Sequence, residues 1–318
     1  MTESKIEWCD RSDWNPLRGC TRVSPGCGGP GPHGGCYAEA IAARFSGPGQ
    51  PFHGFAERTA SGPRWTGKVE LIEERLTAPL RWRKPARIFA LSMSDLFHEA
   101  VPDEWIDRIF AVMAQCPQHQ FLILTKRAER MRDYLSSHDI GARWALAGFK
   151  MQSDIIETPA GAVEWSRHGL RNVWLGVSAE DQRRADERIP ALLDTPAAVR
   201  WVSYEPALGP LDLSSITAAR RYGTMKLNAL TGSSMTWRDD PLSVGPGLNW
   251  VVCGGESGPR ARPFDIEWAR SIVAQCRAVG VPVFYKQGGA SNRCAHDHKG
   301  GHFECFPPEL QIREYPAC

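Results

Sequence analysis

The sequence predicts an α/β fold, namely a partial or near-complete (β/α) barrel of TIM type with parallel strands. Six apolar runs lack polar alternation, which is typical of parallel strands covered on both faces. Amphipathic stretches with apolar residues at helical spacing lie between them. Strands and helices that alternate along a chain favour a parallel sheet with right-handed crossovers. Lys5–Trp8 adds a first strand, and the resulting seven βα-like units favour an open or closed barrel.

The strands are predicted from runs rich in Val, Ile, Leu and aromatic residues. They are Arg87–Ser92, Gln120–Thr125, Asn172–Val177, Val199–Ser203, Asn249–Cys253 and Val281–Tyr285. The clearest predicted helices are Asp103–Gln115, Ala179–Leu193 and Asp265–Val279. Two polar, turn-rich stretches, 139–170 and 214–248, are expected to be insertions over the barrel mouth or partly disordered loops. The barrel domain is expected to cover residues 1–290, with a C-terminal tail at 291–318.

Composition and charge restrict the possible locations and partners. The chain has 318 residues and a formal net charge of +2, which argues neither for nor against nucleic acid. No apolar run reaches the roughly 18 residues needed to cross a bilayer, so no membrane partner is expected. The N-terminus lacks the basic and apolar segments of a secretory signal. We therefore expect a cytoplasmic protein.

Ten cysteines are present in the chain. In the cytoplasm such thiols stay reduced, so a close group of cysteines indicates metal binding or catalysis more than disulfides. Cys116, Cys253 and Cys276 lie in apolar stretches and are predicted to be small buried side chains.

A glycine- and proline-rich loop near the N-terminus carries Cys20, Cys27 and Cys36, separated by six and then eight residues. Glycine and proline allow tight turns that bring three thiolates to one cluster. A helical pattern after the third cysteine places a helix N-terminus there, which stabilises negative charge. Two alternatives stay open: a zinc site completed by His33 or Cys9, and cysteines with unrelated roles.

Three protein ligands leave one iron of a four-iron cluster open. That iron can bind the amino and carboxylate groups of S-adenosylmethionine (SAM). Reductive cleavage of SAM gives methionine and a 5′-deoxyadenosyl radical, which abstracts hydrogen from a substrate. The sequence therefore predicts a radical SAM enzyme whose cofactors are a [4Fe-4S] cluster and SAM.

Polar side chains follow several predicted strands. The carboxyl ends of the strands of a (β/α) barrel meet at one mouth, where active sites form. Helix capping explains serine and aspartate at these points, but it does not explain lysine, arginine and glutamate at several strand ends. The clusters are Ser92-Met93-Ser94-Asp95, Thr125-Lys126-Arg127, Ser178-Ala179-Glu180, Ser203-Tyr204-Glu205, Gly254-Gly255-Glu256-Ser257 and Lys286-Gln287.

Motifs along the chain, from about Ile6 to about Pro316, carry a family resemblance. They include Trp14-Asn15-Pro16, Gly19-Cys20-Thr21, Ser24-Pro25-Gly26-Cys27, Cys36-Tyr37-Ala38-Glu39, Leu124-Thr125-Lys126-Arg127, Glu205-Pro206 and Gly254-Gly255-Glu256-Ser257-Gly258. Together they resemble a phage- and bacteria-associated family of unassigned function, distantly similar to radical SAM spore photoproduct lyases. The resemblance implies a partial TIM-type barrel, a [4Fe-4S] cluster, SAM and a reducing partner such as a flavodoxin or ferredoxin. That family usually has cysteine gaps of six and two residues, whereas the second gap here has eight.

Residues at the predicted barrel mouth and beside Cys36 are the candidates for binding SAM. The predicted cofactor-binding residues are Ser92, Ser94, Asp95, Lys126, Arg127, Ser178, Glu180, Gly254, Gly255 and Tyr37. Asp95 would hold the methionine amino group or, alternatively, cap a helix. Lys126 and Arg127 would bind the SAM carboxylate or a substrate anion, and Ser178 and Glu180 the ribose hydroxyls.

Glycines and charged residues late in the chain complete the predicted site. Gly254 and Gly255 indicate close backbone approach, expected at the adenine. Glu205, Glu256 and Lys286 are the predicted catalytic residues, with Lys286 as substrate ligand or acid–base group. The alternative for both glutamates is a structural network of ion pairs.

The substrate is expected to be a nucleic acid or nucleoside, by analogy with the resembled fold alone. Radical chemistry on a small molecule or peptide is one alternative, and a zinc- or cluster-stabilised nucleic-acid binding protein without turnover is another. The basic segment Arg81–Arg87 fits either a single-strand surface or a helix end. The tail fits a second metal site or a solvated segment. Its candidate ligands are Cys294, His296, His298, His302 and Cys305.

Overall fold

The computed structural model of the chain describes residues 4, 6–28, 35–151, 169–220, 223–235, 241–258, 261–289 and 300–317. These residues form a mixed α/β structure. The helices are α1 (Tyr37–Arg44), α2 (Glu73–Leu76), α3 (Asp103–Ala114), α4 (Ala128–Leu135), α5 (Ile140–Lys150), α6 (Gln182–Asp194) and α7 (Ile266–Val279). The first strands are β1 (Leu17–Arg18), β2 (Ala56–Thr59), β3 (Gly62–Trp65), β4 (Glu70–Leu71), β5 (Arg87–Phe89), β6 (Gln120–Thr125) and β7 (Val173–Ser178). The later strands are β8 (Val199–Tyr204), β9 (Ile216–Arg220), β10 (Gly223–Leu227), β11 (Ser233–Met235), β12 (Pro241–Val244), β13 (Trp250–Gly254) and β14 (Val283–Gln287).

The largest sheet contains the six predicted strands, in the order β14-β13-β8-β7-β6-β5. The pairs β5–β6, β8–β13 and β13–β14 are parallel. All six residues of β7 are buried, as continuous apolar runs between two layers require. The prediction of an α/β fold with a parallel sheet is confirmed, and the predicted helices are confirmed as α3, α6 and α7.

The prediction of a first strand at Lys5–Trp8 is wrong for residues 6–8, which the structure describes. Residues 6–9 form a turn in which the Cys9 amide donates to the Ile6 carbonyl oxygen at 3.2 Å. The Trp8 ring packs against Phe89 with a centroid distance of 4.7 Å. Burial of this aromatic ring explains the apolar character of the segment without a strand. Arg11, further along, makes an isolated parallel bridge to Ile88.

The two stretches expected as insertions contain regular structure. Helix α5 lies in the first stretch, whose residues 152–168 fall outside the described part of the chain. The second stretch holds a four-stranded antiparallel sheet in the order β12-β11-β10-β9. Short polar strands joined by tight turns resemble loops in sequence, because their hydrophobic pattern is weak. A position over a barrel mouth stays a prediction for both stretches.

Two compact units make up the chain. The first comprises Met1–Val23, Cys36–Leu175 and Thr195–Ala198, and the second comprises Ser24–Gly35, Gly176–Asp194 and Val199–Cys318. Stacked rings of Phe110 and Trp144, 4.5 Å apart, lie in the core of the first unit. Trp201 and Trp250, with ring centroids 5.4 Å apart, lie in the core of the second.

Gly176 in β7 leaves space for the buried Trp201 ring in the second unit. A Cβ at this position would lie 2.4 Å from Trp201 Cε2. We expect Gly176→Ala to lower the free energy of unfolding by about 1–3 kcal/mol, because the close-packed ring cannot move aside. Gly209→Ala is the control, since its Cβ would lie 3.8 Å from the nearest atom. Equal denaturation midpoints for the two variants would contradict this account.

Burial of the cysteines divides them as predicted. Cys116, Cys253 and Cys276 are fully buried, and burial raises the pKa of Cys116 and of Cys276 to about 12.

The expectation that every thiol is reduced is wrong for Cys305, which is disulfide-bonded. This bond removes one of the predicted ligands of the tail, whose residues 291–299, with Cys294, His296 and His298, fall outside the described part.

Among the residues that the structure describes, every helix is too short or too polar to span a lipid bilayer.

Candidate active site

Each cysteine of the N-terminal loop directly follows a glycine. Cys20 follows β1 and Gly19, whose φ of 91° lies in the left-handed region. A Cβ at Gly19 would lie 1.8 Å from the Lys68 carbonyl oxygen, so glycine is required there. The 3-10 turn Pro25–Cys27 carries the second cysteine, and Cys36 is the N-cap of α1. All three are partly exposed thiols outside disulfides, which suits metal ligands.

Arg127, the second residue after β6, is buried and lies beside Cys20. Its Nη1 is 3.0 Å from Asp95 Oδ2 and 3.9 Å from Cys20 Sγ. Its Nε donates to both Glu99 oxygens at 2.9 Å, and its Nη2 donates to Thr21 Oγ1 at 2.8 Å. Burial lowers the pKa of Arg127, but the charges of Asp95, Cys20 and Glu99 outweigh this and raise it. A fixed positive charge is therefore held next to the Cys20 thiol.

Asp95 is buried and makes several local hydrogen bonds. Its carboxylate accepts from Thr125 Oγ1 at 2.7 Å, from the Phe97 amide at 3.0 Å and from the Lys126 amide at 3.2 Å. Together with Arg127, these donors occupy most of the acceptor positions of one carboxylate. They account for a structural role, and the predicted contact with a methionine amino group stays a prediction.

Glu39 is a buried carboxylate on the apolar face of α1, with 1% of its surface exposed. The Arg22 Nε donates to its two oxygens at 3.1 and 3.0 Å, and the Arg22 Nη2 also donates to it. The Trp65 amide donates to Glu39 Oε1 at 2.8 Å. Since Arg22 comes two residues after Cys20 and Glu39 three after Cys36, this ion pair joins the chain segments beside both cysteines within the first unit.

Glu180, the second residue after β7, is completely buried in the second unit. Its Oε1 accepts from the Gly26 amide at 3.0 Å. Its Oε2 accepts from Arg188 Nη1 at 2.9 Å, and the same Nη1 donates to the Ser178 carbonyl oxygen at 2.8 Å. A Cβ at Gly26 would lie 2.9 Å from Glu180 Cδ. Glycine before the second cysteine therefore permits the close approach of this carboxylate.

Glu256, the second residue after β13, holds the far end of the same loop. Its Oε1 accepts from the Gly35 amide at 3.1 Å and from Arg262 Nη2 at 2.8 Å. Its Oε2 accepts from the Arg262 amide at 3.0 Å and from Nε at 2.9 Å. Arg262 Nη1 also donates to the Pro25 carbonyl oxygen at 2.8 Å. Burial raises the pKa of Glu256, but hydrogen bonds from Arg262 and Gly35 outweigh it and place this pKa below its usual value.

The predicted metal ligands belong to different units. Cys20 and Cys36 lie in the first and Cys27 in the second. Within the described ranges, no group of three or more His, Cys, Asp or Glu side chains is arranged to hold a metal ion. The cluster therefore stays a prediction. The alternative zinc ligand Cys9 is buried, with its Sγ 3.2 Å from Ser4 Oγ, and His33 lies outside the described residues.

A family model described as a protein of unknown function (DUF5131) matches residues 3–305. The chain belongs to the DUF5131 family. No curated protein and no solved structure matches the chain. Since the family description assigns no activity, the similarity of this DUF5131 chain to radical SAM enzymes depends on its motifs alone and stays a prediction.

The serines before Asp95 in the DUF5131 chain have different surroundings. Ser92 Oγ lies 3.1 Å from the Ser12 carbonyl oxygen, and the Ser92 carbonyl oxygen accepts from Tyr37 Oη at 2.7 Å. Ser94 Oγ is buried and has no hydrogen-bond partner among the described residues. Because buried hydroxyls are normally hydrogen-bonded, Ser94 Oγ has the capacity to bind a polar ligand.

Lys286 and Glu205 form an ion pair in the second unit of the DUF5131 chain. Lys286 Nζ in β14 lies 3.1 Å from Oε1 of Glu205, the residue after β8. Their side chains keep 19% and 12% of their surface exposed, so solvent or a ligand reaches both. This pair matches the predicted alternative of a structural ion pair, and its exposure also permits substrate contact.

Close packing within the second unit explains why glycines occupy positions 254 and 255. A Cβ at Gly254 would lie 3.0 Å from Glu205 Oε1, and a Cβ at Gly255 would lie 3.0 Å from the Phe264 side chain. The close approach predicted from these glycines is thus made by protein side chains. Contact with adenine stays a prediction.

The structure of the basic segment Arg81–Arg87 favours a helix end over a surface for single-stranded nucleic acid. A 3-10 helix, Ala78–Arg81, leads toward β5. The Arg11 guanidinium lies 3.6 Å from the centroid of the Trp82 ring and covers one of its faces. That face is closed to a stacked base, so the segment gives little support to single-strand binding.

Sequence reasoning missed several side chains that bond to the predicted residues or to the residues beside the loop cysteines. These are Thr21, Arg22, Glu39, His98, Glu99, Arg188 and Arg262. His98 is an example: its Nδ1 accepts from the Ala100 amide at 3.1 Å, so its Nε2 carries the proton and donates to Thr21 Oγ1 at 2.9 Å. A signal was present for Glu39, a lone charge among the alanines of the buried face of α1.

Proposed function

We propose that this DUF5131 protein is a radical SAM enzyme in which Cys20, Cys27 and Cys36 hold a [4Fe-4S] cluster. The observation that carries the proposal is a repeated contact: a buried charged side chain, two residues after a parallel strand, bonds to a residue adjacent to each cysteine. The pairs are Arg127 with Thr21, Glu180 with Gly26 and Glu256 with Gly35. Buried charges are costly, so a loop that merely connects two elements has no need of them.

The donor set suits the proposed cluster. Thiolates are the usual ligands of iron–sulfur clusters, and three of them leave one iron of a cubane open for SAM. The guanidinium of Arg127 beside Cys20 and the helix N-terminus at Cys36 both favour thiolate over thiol. Ser94 Oγ supplies a buried hydroxyl for a polar ligand.

When bound, the cluster would pass one electron to SAM, splitting its S–C5′ bond into methionine and a 5′-deoxyadenosyl radical that takes a hydrogen atom from the substrate. A flavodoxin or ferredoxin would supply the electron. We assign to Lys286 and Glu205 the binding of a polar substrate, since both charges remain partly exposed. We further propose that the six-stranded sheet is part of a (β/α) barrel, the fold in which active sites form at the carboxyl ends of strands.

The proposed substrate is a nucleic acid or nucleoside, which depends on fold analogy. Transfer of deuterium from labelled candidates into 5′-deoxyadenosine would identify the substrate. If deuterium is transferred from a small molecule or peptide, and not from nucleosides or nucleic acids, the proposed substrate is wrong and that small molecule or peptide takes its place.

Anaerobic reconstitution with iron and sulfide tests the proposed reaction. We expect visible thiolate-to-iron absorbance, and 5′-deoxyadenosine on addition of dithionite and SAM, because the open iron permits SAM to bind. A colourless, zinc-loaded protein that releases no 5′-deoxyadenosine would contradict the proposal and support a metal-stabilised protein without turnover.

A further inference from the structure

Two buried carboxylates of the second unit bind backbone amides of the cysteine loop. Glu180 accepts from the Gly26 amide at 3.0 Å, and Glu256 accepts from the Gly35 amide at 3.1 Å. In both cases the donor is the residue immediately before a cysteine. The bound amide belongs to the peptide group that enters each glycine, one residue before the cysteine, so these contacts fix the position of the chain from which the cysteine extends.

An arginine neutralises each carboxylate. Arg188 pairs with Glu180 at 2.9 Å, and Arg262 pairs with Glu256 at 2.8 Å. Arg262 also donates to the Pro25 carbonyl oxygen at 2.8 Å, so one ion pair holds both Pro25 and Gly35. Ion pairs that are this well hydrogen-bonded offset the desolvation of two buried charges.

The bonds of Glu256 leave little capacity for a substrate. A carboxylate has about four lone-pair positions, and Glu256 accepts four hydrogen bonds from Gly35 and Arg262. Glu180 is completely buried. These surroundings argue against the ribose and catalytic roles expected from the sequence and favour a role in holding the loop.

We infer that Glu180 and Glu256, the latter with Arg262, are positioning residues that fix the peptide groups before Cys27 and Cys36. The effect on iron rests on the proposed function, whereas the effect on the loop does not. Neither glutamate touches a reacting atom in this role. Each sets the geometry of a thiol through the glycine that precedes it.

Two variants test the inference by different means. Glu256→Ala removes the acceptor of the Gly35 amide. Gly26→Ala places a Cβ against the Glu180 carboxylate and displaces it without removing a charge. We expect amide exchange to accelerate about tenfold or more at position 35 in the first variant and at position 26 in the second, because hydrogen bonds to charged groups are among the stronger ones. Iron retained after reconstitution should fall several-fold in both.

Matched controls separate positioning from general stability. Asp186 also accepts from a backbone amide, that of Thr217 at 2.9 Å, and a Cβ at Gly209 would make only an ordinary contact at 3.8 Å. Asp186→Ala and Gly209→Ala should leave the exchange of the loop amides and the iron content unchanged. Glu256→Gln should restore part of the iron retention, since its amide oxygen can still accept from Gly35.

The outcomes keep the two proposals apart. Unchanged exchange at both loop positions, or equal acceleration in the controls, would overturn the positioning role. If the unaltered protein binds no iron, the proposed function fails, and exchange measured on the metal-free chain still decides the role of the two glutamates. Should Glu256→Ala not fold, Gly26→Ala decides alone.

Discussion

Alanine in place of Cys20, Cys27 or Cys36 is expected to abolish iron retention after anaerobic reconstitution. Each variant leaves two thiolates, and a cluster with two protein ligands is exposed to exchange with solvent and chelators. The loss should be nearly complete in each single variant, which makes it the largest effect expected for this chain. Iron per chain and the thiolate-to-iron absorbance of the purified protein measure it.

Cys116→Ala and Cys276→Ala are the controls for this series. Both side chains are fully buried, and burial raises their pKa to about 12, so neither thiol forms a thiolate near neutral pH. These variants should retain iron like the unaltered protein, although each removes a buried sulfur from the core. Equal iron content in all five variants would refute the assignment of the loop cysteines.

The parallel strands were predictable because each is buried on both faces. Strand β6 runs from Gln120 to Thr125, as predicted, since polar residues follow its apolar run at once. Strand β14 starts at Val283 and ends at Gln287, two residues later than predicted at both ends. Boundaries depend on where hydrogen bonding to the neighbouring strand stops, which the hydrophobic pattern does not encode.

The failures concern segments whose structure depends on distant partners. The apolar segment at Ile6–Trp8 owes its hydrophobicity to the contact of Trp8 with Phe89, eighty-one positions later. The sheet β9–β12 consists of short strands with exposed polar residues, such as Thr224 and Lys226, so its pattern resembles that of a loop. These strands form because they pair with one another, and that pairing is not encoded in the hydrophobic pattern of any single strand.

The positions of the site residues were predictable, but their partners were not. A charge just after a parallel strand indicated a site for Arg127, Glu180 and Glu256. The partners of the two glutamates lie 154 and 221 positions away, at Gly26 and Gly35. Separations of this size carry no local signal. The glycine before every loop cysteine was a signal, because it permits close approach to the backbone.

Each compact unit buries charged side chains close to its own part of the cysteine loop. Glu39, Asp95, Arg127, Glu180 and Glu256 each have under a tenth of their surface exposed. Each has an oppositely charged partner within 3.1 Å. Replacing such pairs with apolar residues is often neutral or stabilising, so stability alone does not explain them. Fixing the direction of particular peptide groups does, because an apolar contact has no such directionality.

Arg127→Met is expected to be the most destabilising change near the loop. It leaves the Asp95 carboxylate buried without its cation and removes the donor that binds Thr21 Oγ1. Loss of one partner from a buried ion pair typically costs about 3–5 kcal/mol in the free energy of unfolding. Urea denaturation, followed by tryptophan fluorescence, measures the change. Arg127→Lys should recover little, because an ammonium group cannot reproduce the planar arrangement of donors to Asp95, Glu99 and Thr21.

A second substitution shows whether the unpaired buried charge of Asp95 causes the loss of stability in Arg127→Met. Arg127→Met combined with Asp95→Asn removes both charges and keeps an amide oxygen that can accept from Thr125 Oγ1, so the double variant should be more stable than the sum of the single losses predicts. Arg183→Met is the control, since its ion pair with Glu187 is largely exposed and should contribute little. Additive losses in the double variant would mean that packing of the long arginine side chain, and not its charge, accounts for the stabilising effect of Arg127.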